Sequence, residues 1–305
     1  MSAPRRPPRR KVDGVLLLDK PLGISSNAAL QQARRLFNAA KAGHTGTLDP
    51  LATGLLPLCF GEATKFAGEL LHADKAYCAT VQLGVVTDTA DAEGRVLETR
   101  PVTVDVAQVL AVLPRFMGPQ QQVPPMYSAL KRDGTPLYEL ARQGIEVERP
   151  PRAVTIHSLE MSVWSGDRFD LAVTCSKGTY VRTLAADIGQ ALGCGAHLAA
   201  LRRTRVGTLD VRDAISLECI ENTHAAGRDD LLLPADALLA SLPTVLLTEQ
   251  DVAHLLLGQS IRWSAEPAER CRLLGPLGFS GLGEISADGW LRPKRLMATQ
   301  TDIGR

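Results

Sequence analysis

The stretch "GHTGTLDP" contains two side chains capable of chemistry, His44 and Asp49, among glycines and beside a proline. Asp49 is the only carboxylate between Asp19 and Glu62. A carboxylate can act as a nucleophile or a base when a cation orients it and keeps it ionised. An Asp before Pro is also a common start of a turn with no chemical role. The choice between these interpretations depends on which residues meet Asp49 in the fold.

Three other stretches offer partners for such a carboxylate. "DKAYCATV" contains Tyr77, "CSKGTYVRT" contains Tyr180 and Arg182, and "LRRTRVG" contains a second group of arginines. Arg keeps its charge and presents two fixed donors to a carboxylate, and Tyr can stack on a ring and exchange a proton. Together with an apolar wall, these groups would form a pocket for a flipped nucleobase. The alternative is that the tyrosines are core or rim residues and the arginine faces solvent.

The hydrophobic pattern predicts the elements that must position these residues. We expect a buried strand over "GVLLLDKP", a helix over "SSNAALQQARRLFN" capped by one of its serines, and a strand over "AYCATVQLG". Two strands joined at "SGDR" form a predicted hairpin, and the helix over "TYVRTLAADIGQALG" ends at Gly193. Glycine and proline predict a loop over "AGHTGTLDPLATG" and a turn-rich connection over "VVTDTADAEGRVLE". Asp49 is thus expected in a loop and Tyr77 on a strand.

Composition divides the chain into segments. Residues 1–11 are rich in Pro and Arg, which predicts a disordered basic arm. Residues 12–242 form the predicted main domain, and the proline-bounded segment 118–152 departs from it as a lobe. The short strands and glycine turns of residues 243–305 predict a small β-barrel-like domain, which opens with a capped helix over "TEQDVAHLLLG".

The charge is uneven although the net charge is only +1. Residues 1–75 carry a net charge of +5 and residues 171–212 a net charge of +4, whereas residues 213–258 carry −7. These segments are compatible with a basic face for nucleic acid, and equally with charges that are solvated on all sides. Neither a membrane span nor a signal peptide is recognisable, so we expect a cytosolic protein.

Several familiar site signatures are missing from the sequence. The six cysteines include no C-x-x-C pair, which predicts reduced thiols and no zinc site. "GFSGLGEIS" has Ser286 where a dinucleotide fingerprint needs its third glycine. The P-loop, zincin and nucleophile-elbow motifs do not occur either. An enzyme with this sequence is therefore expected to work without a nucleotide, a metal or a serine nucleophile.

Four stretches resemble, in order and spacing, the bacterial tRNA pseudouridine synthases that act on the T-loop uridine at tRNA position 55. They are residues 14–66, "DKAYCATVQLGVVTDTADAEG", "VPPMYSALKRDGTPLYELARQGIEVERPPR" and "CSKGTYVRTLAADIGQALGCGAHLAALRRTRVG". The resemblance spans about residues 12–220, and the C-terminal segment resembles more loosely the PUA-type RNA-binding domain of that family. It implies an α+β fold, with a mixed, mostly antiparallel sheet, flanking helices and a small C-terminal β domain.

The resemblance also implies roles for single residues. Asp49 matches the catalytic aspartate, Arg182 the arginine paired with it, and Tyr77 the tyrosine that stacks on the target base. The matched substrate-binding positions are His44, Tyr77, Tyr180, Leu201, Lys20 and Lys65. No metal and no other cofactor is implied.

The implied activity is the isomerisation of uridine to pseudouridine in the T stem-loop of tRNA by base flipping, with a monomer that needs no protein partner. Asp49 would either attack the nucleoside or remove the C2′ proton, and the sequence leaves both routes open. Two rivals remain: an RNA-binding or RNA-folding factor, and an aspartate-based glycoside hydrolase. The hydrolase needs two facing carboxylates, and the sequence suggests no second candidate near Asp49.

Overall fold

The computed structural model describes residues 8–298. Most of the predicted basic arm, residues 1–7, and the last part of the predicted C-terminal domain, residues 299–305, lie outside the described residues. Within the described part of the arm, the guanidinium of Arg10 pairs with Asp229 at 2.6 Å, and its backbone bonds to Asn38 and Ala40. These contacts hold residue 10 against residues 38–40, which follow the first helix, and against Asp229.

The described residues contain seven α-helices, nineteen β-strands and five short 3-10 helices. The α-helices are α1 (Ser26–Leu36), α2 (Ala67–Leu71), α3 (Val106–Val112), α4 (Leu137–Arg142), α5 (Val181–Ala191), α6 (Leu217–Asn222) and α7 (Glu249–Leu256). The strands are β1 (Gly14–Lys20), β2 (Ala42–His44), β3 (Ala52–Phe60), β4 (Lys75–Leu83), β5 (Val85–Thr87), β6 (Val96–Thr99), β7 (Gly118–Gln122), β8 (Lys131–Arg132), β9 (Thr135–Pro136), β10 (Arg152–Trp164), β11 (Arg168–Cys175), β12 (Ala196–Val206), β13 (Leu209–Asp210), β14 (Ile215–Ser216), β15 (Thr244–Leu246), β16 (Ile261–Arg262), β17 (Ala268–Gly275), β18 (Gly278–Ile285) and β19 (Trp290–Leu296). The 3-10 helices span Gly61–Lys65, Leu113–Phe116, Val211–Asp213, Ala225–Leu231 and Ala235–Leu239.

A ten-stranded mixed sheet forms the centre of the molecule. Its strand order is β14-β1-β3-β12-β4-β11-β10-β7, with β2 added beside β3 and β13 beside β12. In this described sheet the β1–β14 and β3–β12 pairs are parallel and the other pairs are antiparallel. The predicted α+β class with a mostly antiparallel sheet is confirmed.

Strands β1 and β3 are buried on both faces, which explains why "GVLLL" is a continuous apolar run rather than an alternating one. Leu16 and Leu18 belong to the larger core, together with residues of α1, α3 and α5. Val15 and Leu17 belong to a second core on the opposite face, with residues of α2 and of Ala235–Leu239. The predicted buried strand is confirmed.

The two long helices beside the site begin and end where the sequence indicates. The Ser25 hydroxyl accepts from the backbone of Ala28 and caps α1. Helix α5 buries its predicted face, and Gly193, with φ +83°, follows its last turn. The hairpin of β10 and β11 also forms as predicted, closed by Ser165.

The short elements differ from the prediction. The ends of the predicted loop "AGHTGTLDPLATG" are strands, β2 and the start of β3, because β2 pairs with the end of β3 and the start of β3 pairs with β12. The connection after β4 contains the two-stranded pair β5–β6. In the predicted lobe, β7 pairs with β10 inside the central sheet, so the chain leaves the sheet only after Gln122.

A second sheet of five strands follows, in the order β15-β17-β18-β19-β16. It curls into a half-barrel, consistent with the predicted PUA-like domain. Thr248 and Asp251 form a capping box at the start of α7. The second sheet packs on the main domain through Phe279 of β18 and Phe66, which directly precedes α2; their ring centroids are 5.1 Å apart. Among the helices of residues 8–298, none has the length and apolar character needed to cross a membrane.

Candidate active site

The loop that carries Asp49 is fastened on both sides by hydrogen bonds from α1 and from the turn before it. The Ser26 hydroxyl donates to the Leu48 carbonyl at 2.9 Å and accepts from the Leu48 amide at 2.7 Å. The Gly23 amide donates to the Pro50 carbonyl at 2.9 Å. The residues on either side of Asp49, Leu48 and Pro50, are therefore held in place by Ser26 and Gly23.

Arg182, in the first turn of α5, points its guanidinium at Asp49. Its Nε lies 3.0 Å from Asp49 Oδ2, and its Nη1 lies 3.5 Å from Asp91 Oδ2. The same guanidinium donates to the carbonyls of Thr89 at 3.2 Å and Tyr127 at 2.6 Å. Arg182 is only 4 % exposed, whereas Asp49 is 39 % exposed. The arginine is thus fixed, and the carboxylate remains accessible to a ligand.

Asp91 is a member of this cluster that the sequence did not single out. It is buried, accepts from the Thr89 hydroxyl at 2.6 Å and from the Glu93 amide at 3.1 Å, and pairs with Arg182. The expectation that no second carboxylate lies near Asp49 is wrong. The sequence signal for this was weak, because "TDTADAEG" reads only as a turn-rich connection.

Opposing influences act on the Asp49 carboxyl. Burial raises the pKa of Asp49 most strongly, and the negative charge of Asp91 raises it further. The positive charges of Arg182 and Lys20 oppose this rise. A carboxylate held by cations in partly desolvated surroundings can act as a base or a nucleophile.

Lys20 lies in this cluster with its side chain fully buried. Its ammonium donates to the carbonyls of Ile24 at 2.7 Å and Pro21 at 2.9 Å. Burial lowers the pKa of Lys20 to about 8, against the attraction of Asp49 and Glu93. Lys20 therefore supplies charge to the site while it holds the turn between β1 and α1.

Tyr77, Tyr180 and Leu201 come from three different elements. Tyr77 lies on β4 and is half-buried, and burial raises the pKa of its phenol. Tyr180 directly precedes α5. Its backbone N–H donates to Gln122 Oε1 at 2.7 Å, and Gln122 Nε2 donates to the Tyr180 carbonyl at 3.0 Å. Leu201 on β12 is buried opposite Ala79 of β4. Leu201 and Tyr77 therefore lie on neighbouring strands, and the charge of Asp49 adds to the rise in the pKa values of both Tyr77 and Tyr180.

The two remaining candidates differ in position. His44 lies on β2, and its Nδ1 is buried without a hydrogen-bond partner among residues 8–298. Burial, and then the charge of Arg203, lower the pKa of His44. Lys65 is instead directed towards the second sheet, since its ammonium contacts Glu62 at 2.6 Å and the Leu296 carbonyl at 3.1 Å. The described contacts do not bring Lys65 to the cluster around Asp49.

Three family models match the chain in succession. The N-terminal domain of TruB family pseudouridylate synthases matches residues 34–181, and the tRNA pseudouridylate synthase B C-terminal domain matches residues 182–240. The C-terminal model of pseudouridine synthase II TruB matches residues 243–297. Together these matches cover most of the chain.

Relatives and solved structures agree with those models. The chain is 59 % identical to the tRNA pseudouridine synthase B of Azoarcus sp. (strain BH72), covering 97 % of this chain and 99 % of the relative. It is also 59 % identical to that of Dechloromonas aromatica (strain RCB), covering 94 % and 96 %. A chain of an H/ACA RNP bound to a substrate RNA containing 2'-deoxyuridine shares the fold, with a TM-score of 0.70, 22 % identity and coverage of 94 % and 86 %. The chain belongs to the tRNA pseudouridine synthase B family.

Proposed function

We propose that this chain isomerises the uridine at position 55 in the T loop of tRNA. As a member of its family the protein is an isomerase that acts on uridines of tRNA. The observation that carries the proposal is the 3.0 Å pair between a buried Arg182 and an accessible Asp49. The position in the T loop is supported by the sequence resemblance.

The target base must leave the RNA stack before it can reach Asp49. Extruding a stacked base costs a few kcal/mol. Stacking on the ring of Tyr77 would return about 1–3 kcal/mol of that cost. Leu201 and Tyr180 would form the remaining walls, and His44 would contact the T loop outside the pocket.

The isomerisation breaks the N1–C1′ bond, turns the uracil and joins C5 to C1′, after which C5 loses its proton. Asp49 either attacks the nucleoside or takes the C2′ proton to give a glycal. Both routes need an ionised carboxylate, and Arg182 and Lys20 favour that form. No electrons are exchanged with a cofactor and no phosphoryl group moves, so the proposed reaction needs no cofactor.

The lobe is proposed to close over the T arm. Its first residues touch the site, because the Tyr127 carbonyl accepts from Arg182 at 2.6 Å. Within the lobe, the Tyr138 amide donates to the Ser128 carbonyl. Hydrogen exchange of residues 123–151 should slow when a T-arm stem-loop binds, with α6, in the acidic segment 213–258, as the internal reference. Unchanged exchange in the lobe at saturating RNA would contradict closure.

We propose that the half-barrel and the N-terminal residues contribute to RNA binding. The half-barrel and the basic residues before position 12 would add phosphate contacts, which make affinity depend on salt. We propose that the protein acts as a monomer in the cytoplasm, where its tRNA substrate is made.

Tritium release from uridine labelled at C5 of a T-arm stem-loop tests the proposed function. The protein should release tritium when the label is at position 55, and a stem-loop with cytidine there and label elsewhere should give no release. Asp49→Asn should abolish release and leave RNA affinity nearly unchanged. Binding without release would indicate an RNA-binding factor, and free uracil would indicate a hydrolase; either result contradicts the proposal.

A further inference from the structure

Arg203 is a buried guanidinium beside the loop that carries Asp49. Its side chain is 1 % exposed. Its Nε donates to the Leu55 carbonyl at 2.8 Å, and Nη1 and Nη2 approach the carbonyls of Thr47 and Gly46 at 3.5 and 3.4 Å. These carbonyls precede and follow Asp49 in the sequence. One side chain from β12 therefore holds both ends of the segment that presents Asp49.

The sheet register also places Arg203 beside Tyr77. Arg203 is directly opposite Tyr77 of β4 and Gly54 of β3. Side chains that oppose each other in an antiparallel pair lie on the same face, so the guanidinium neighbours the Tyr77 ring. Arg203 thus contacts the Asp49 loop on one side and approaches the expected stacking residue on the other.

Among residues 8–298, no carboxylate neutralises Arg203. No described carboxylate oxygen lies within 4.0 Å of its guanidinium, whereas Arg182 has two such partners. The charge acts on its neighbours instead. It adds to the effect of burial in lowering the pKa values of His44 and Lys20, and it opposes the burial that raises the pKa of Tyr77. Burying a cation that has no carboxylate partner is costly. We therefore infer that the charge of Arg203 contributes to the function of the pocket.

We propose that Arg203 is a positioning residue for the isomerisation, which holds the Asp49 loop against Tyr77 and keeps a fixed positive charge beside the pocket. When the N1–C1′ bond breaks heterolytically, its electron pair stays on the uracil ring, and that pair later forms the C5–C1′ bond. A charge already in place stabilises the transient anion without reorganisation. The inference rests on the proposed function for the role of Asp49.

Two substitutions separate the charge of Arg203 from its hydrogen-bonding shape. Arg203→Met removes the charge and keeps an unbranched chain, and Arg203→Lys keeps the charge without the two-pronged donor. Arg205→Met, an exposed arginine of the same strand, is the matched control. The rate is measured by single-turnover tritium release from bulk tRNA labelled at C5 of uridine, so the result does not depend on the position modified. Filter binding gives the tRNA affinity.

We expect Arg203→Met to lower the rate about 100-fold, with tRNA affinity changed by less than about threefold. Arg203→Lys should retain a rate at least about tenfold above the Met variant. Titration of His44 by NMR gives a second readout. The pKa of His44 should rise in the Met variant, because a repelling charge is gone, and stay lowered in the Lys variant. If the substitutions only loosened the Asp49 loop, the Met and Lys variants would not differ in the pKa of His44.

A folded Arg203→Met protein within about threefold of the wild-type rate would overturn the proposal. So would a folded Arg203→Lys protein as slow as the Met variant. If thermal unfolding shows that the Met variant does not fold, the Lys variant decides. A loss above about 100-fold in the Lys variant, with the pKa of His44 still lowered, would overturn the role of the charge. Wild-type release from bulk tRNA but not from the T-arm stem-loop would refute only the proposed position.

Discussion

Arg182 connects three parts of the chain that are distant in sequence. It pairs with Asp49 before β3 and with Asp91 after β5, and it donates to the Tyr127 carbonyl at the root of the lobe. A buried guanidinium with all these partners cannot swing without breaking several of them at once. The orientation of Asp49 is therefore set by residues that are distant from it in the sequence.

Replacing Asp91 tests that arrangement. Asp91→Asn removes one charge of a buried pair and should reduce the free energy of unfolding by about 3 kcal/mol. The rate of tritium release should fall at least about tenfold, because Arg182 loses a fixed partner and no longer aims Asp49. Urea unfolding and single-turnover assays measure the two effects.

Glu98→Gln is the control for Asp91→Asn, because Glu98 pairs with Arg100 on the exposed surface. That change should alter stability by less than about 0.5 kcal/mol. Equal effects of the two substitutions on rate and stability would show that the burial of Asp91 has no special importance.

Lys20 makes the stability of the protein depend on pH. The pKa of Lys20 is about 8 in the folded chain and 10.5 as its ordinary value. Between these pH values the folded chain binds fewer protons than the unfolded chain, so stability should rise as the pH increases. Lys20→Met should lose part of that rise, as measured by urea unfolding at about pH 7.5 and about pH 9.5.

Part of the rise should survive in Lys20→Met, because burial also lowers the pKa of Lys75 to about 8. The exposed Lys131 provides a control, and Lys131→Met should keep the wild-type pH dependence. A pH dependence in Lys20→Met identical to that of the wild type would contradict the assignment to Lys20.

The sequence predicted some residues of the candidate site and missed others. Asp49 and Arg182 were found through the family resemblance, since spacing alone could not tell a catalytic Asp from a turn residue. Asp91 was missed because Asp88 and Asp91 stand in the same turn-rich stretch. Backbone bonds from Leu198 to the residues on either side of Asp91 hold this stretch against β12, where the Asp91 side chain can reach Arg182. Such a contact joins distant parts of the chain and has no local pattern.

At the scale of elements, the close approach of β3 and β12 requires glycine at position 54. Gly54 has φ +97°, and a Cβ there would lie 2.3 Å from the Arg203 carbonyl oxygen. Only glycine adopts this conformation freely. The parallel pairing of these two strands, and with it the position of Arg203, depends on position 54 having no side chain.

Gly54→Ala should reduce the free energy of unfolding by more than about 1 kcal/mol, because the added methyl meets backbone and φ is unfavourable. Thermal and urea unfolding measure this loss. Gly43→Ala is the matched control, since a Cβ added to Gly43 in β2 would meet no other atom within 4 Å. A loss no larger for position 54 than for position 43 would refute the argument.

Element prediction succeeded where the pattern was long. Helices α1 and α5 have apolar positions at helical spacing over eleven residues each, and each has a recognisable boundary signal. Strands β2 and β5 have three residues each, too few for a period. Their backbone partners are distant in sequence: β2 pairs with β3 of the central sheet and β5 pairs with β6, so no local pattern predicts either strand.

At the scale of the whole molecule, apolar and charged contacts join the half-barrel to the main domain. Phe66 meets Phe279 edge to face, Glu69 pairs with Arg270, and the Lys65 ammonium binds the Leu296 carbonyl. The Arg295 guanidinium returns a hydrogen bond to the Lys65 carbonyl at 2.6 Å. Apolar and charged contacts together fix the half-barrel on the face opposite to the larger core.

Phe279→Ala should loosen this junction at a cost of about 2 kcal/mol, because the ring is half-buried. Limited proteolysis should then cut faster near residues 240–243, between the two sheets. Leu277→Ala, at an exposed position in the turn before β18, should leave the cutting rate unchanged. Equal cutting of both variants would show that the aromatic contact does not hold the two parts together.

Strand β12 is translated only after residue 195, yet its place is between β3 and β4, which end at residues 60 and 83. A nascent chain that stops short of it exposes two unpaired strand edges, which favour association with other chains. The same nascent chain lacks Arg203, whose guanidinium bonds to carbonyls on both sides of Asp49. On the role proposed for Arg203, we expect RNA modification only after about two thirds of the polypeptide has been made, and we expect premature termination products to be both inactive and prone to aggregate.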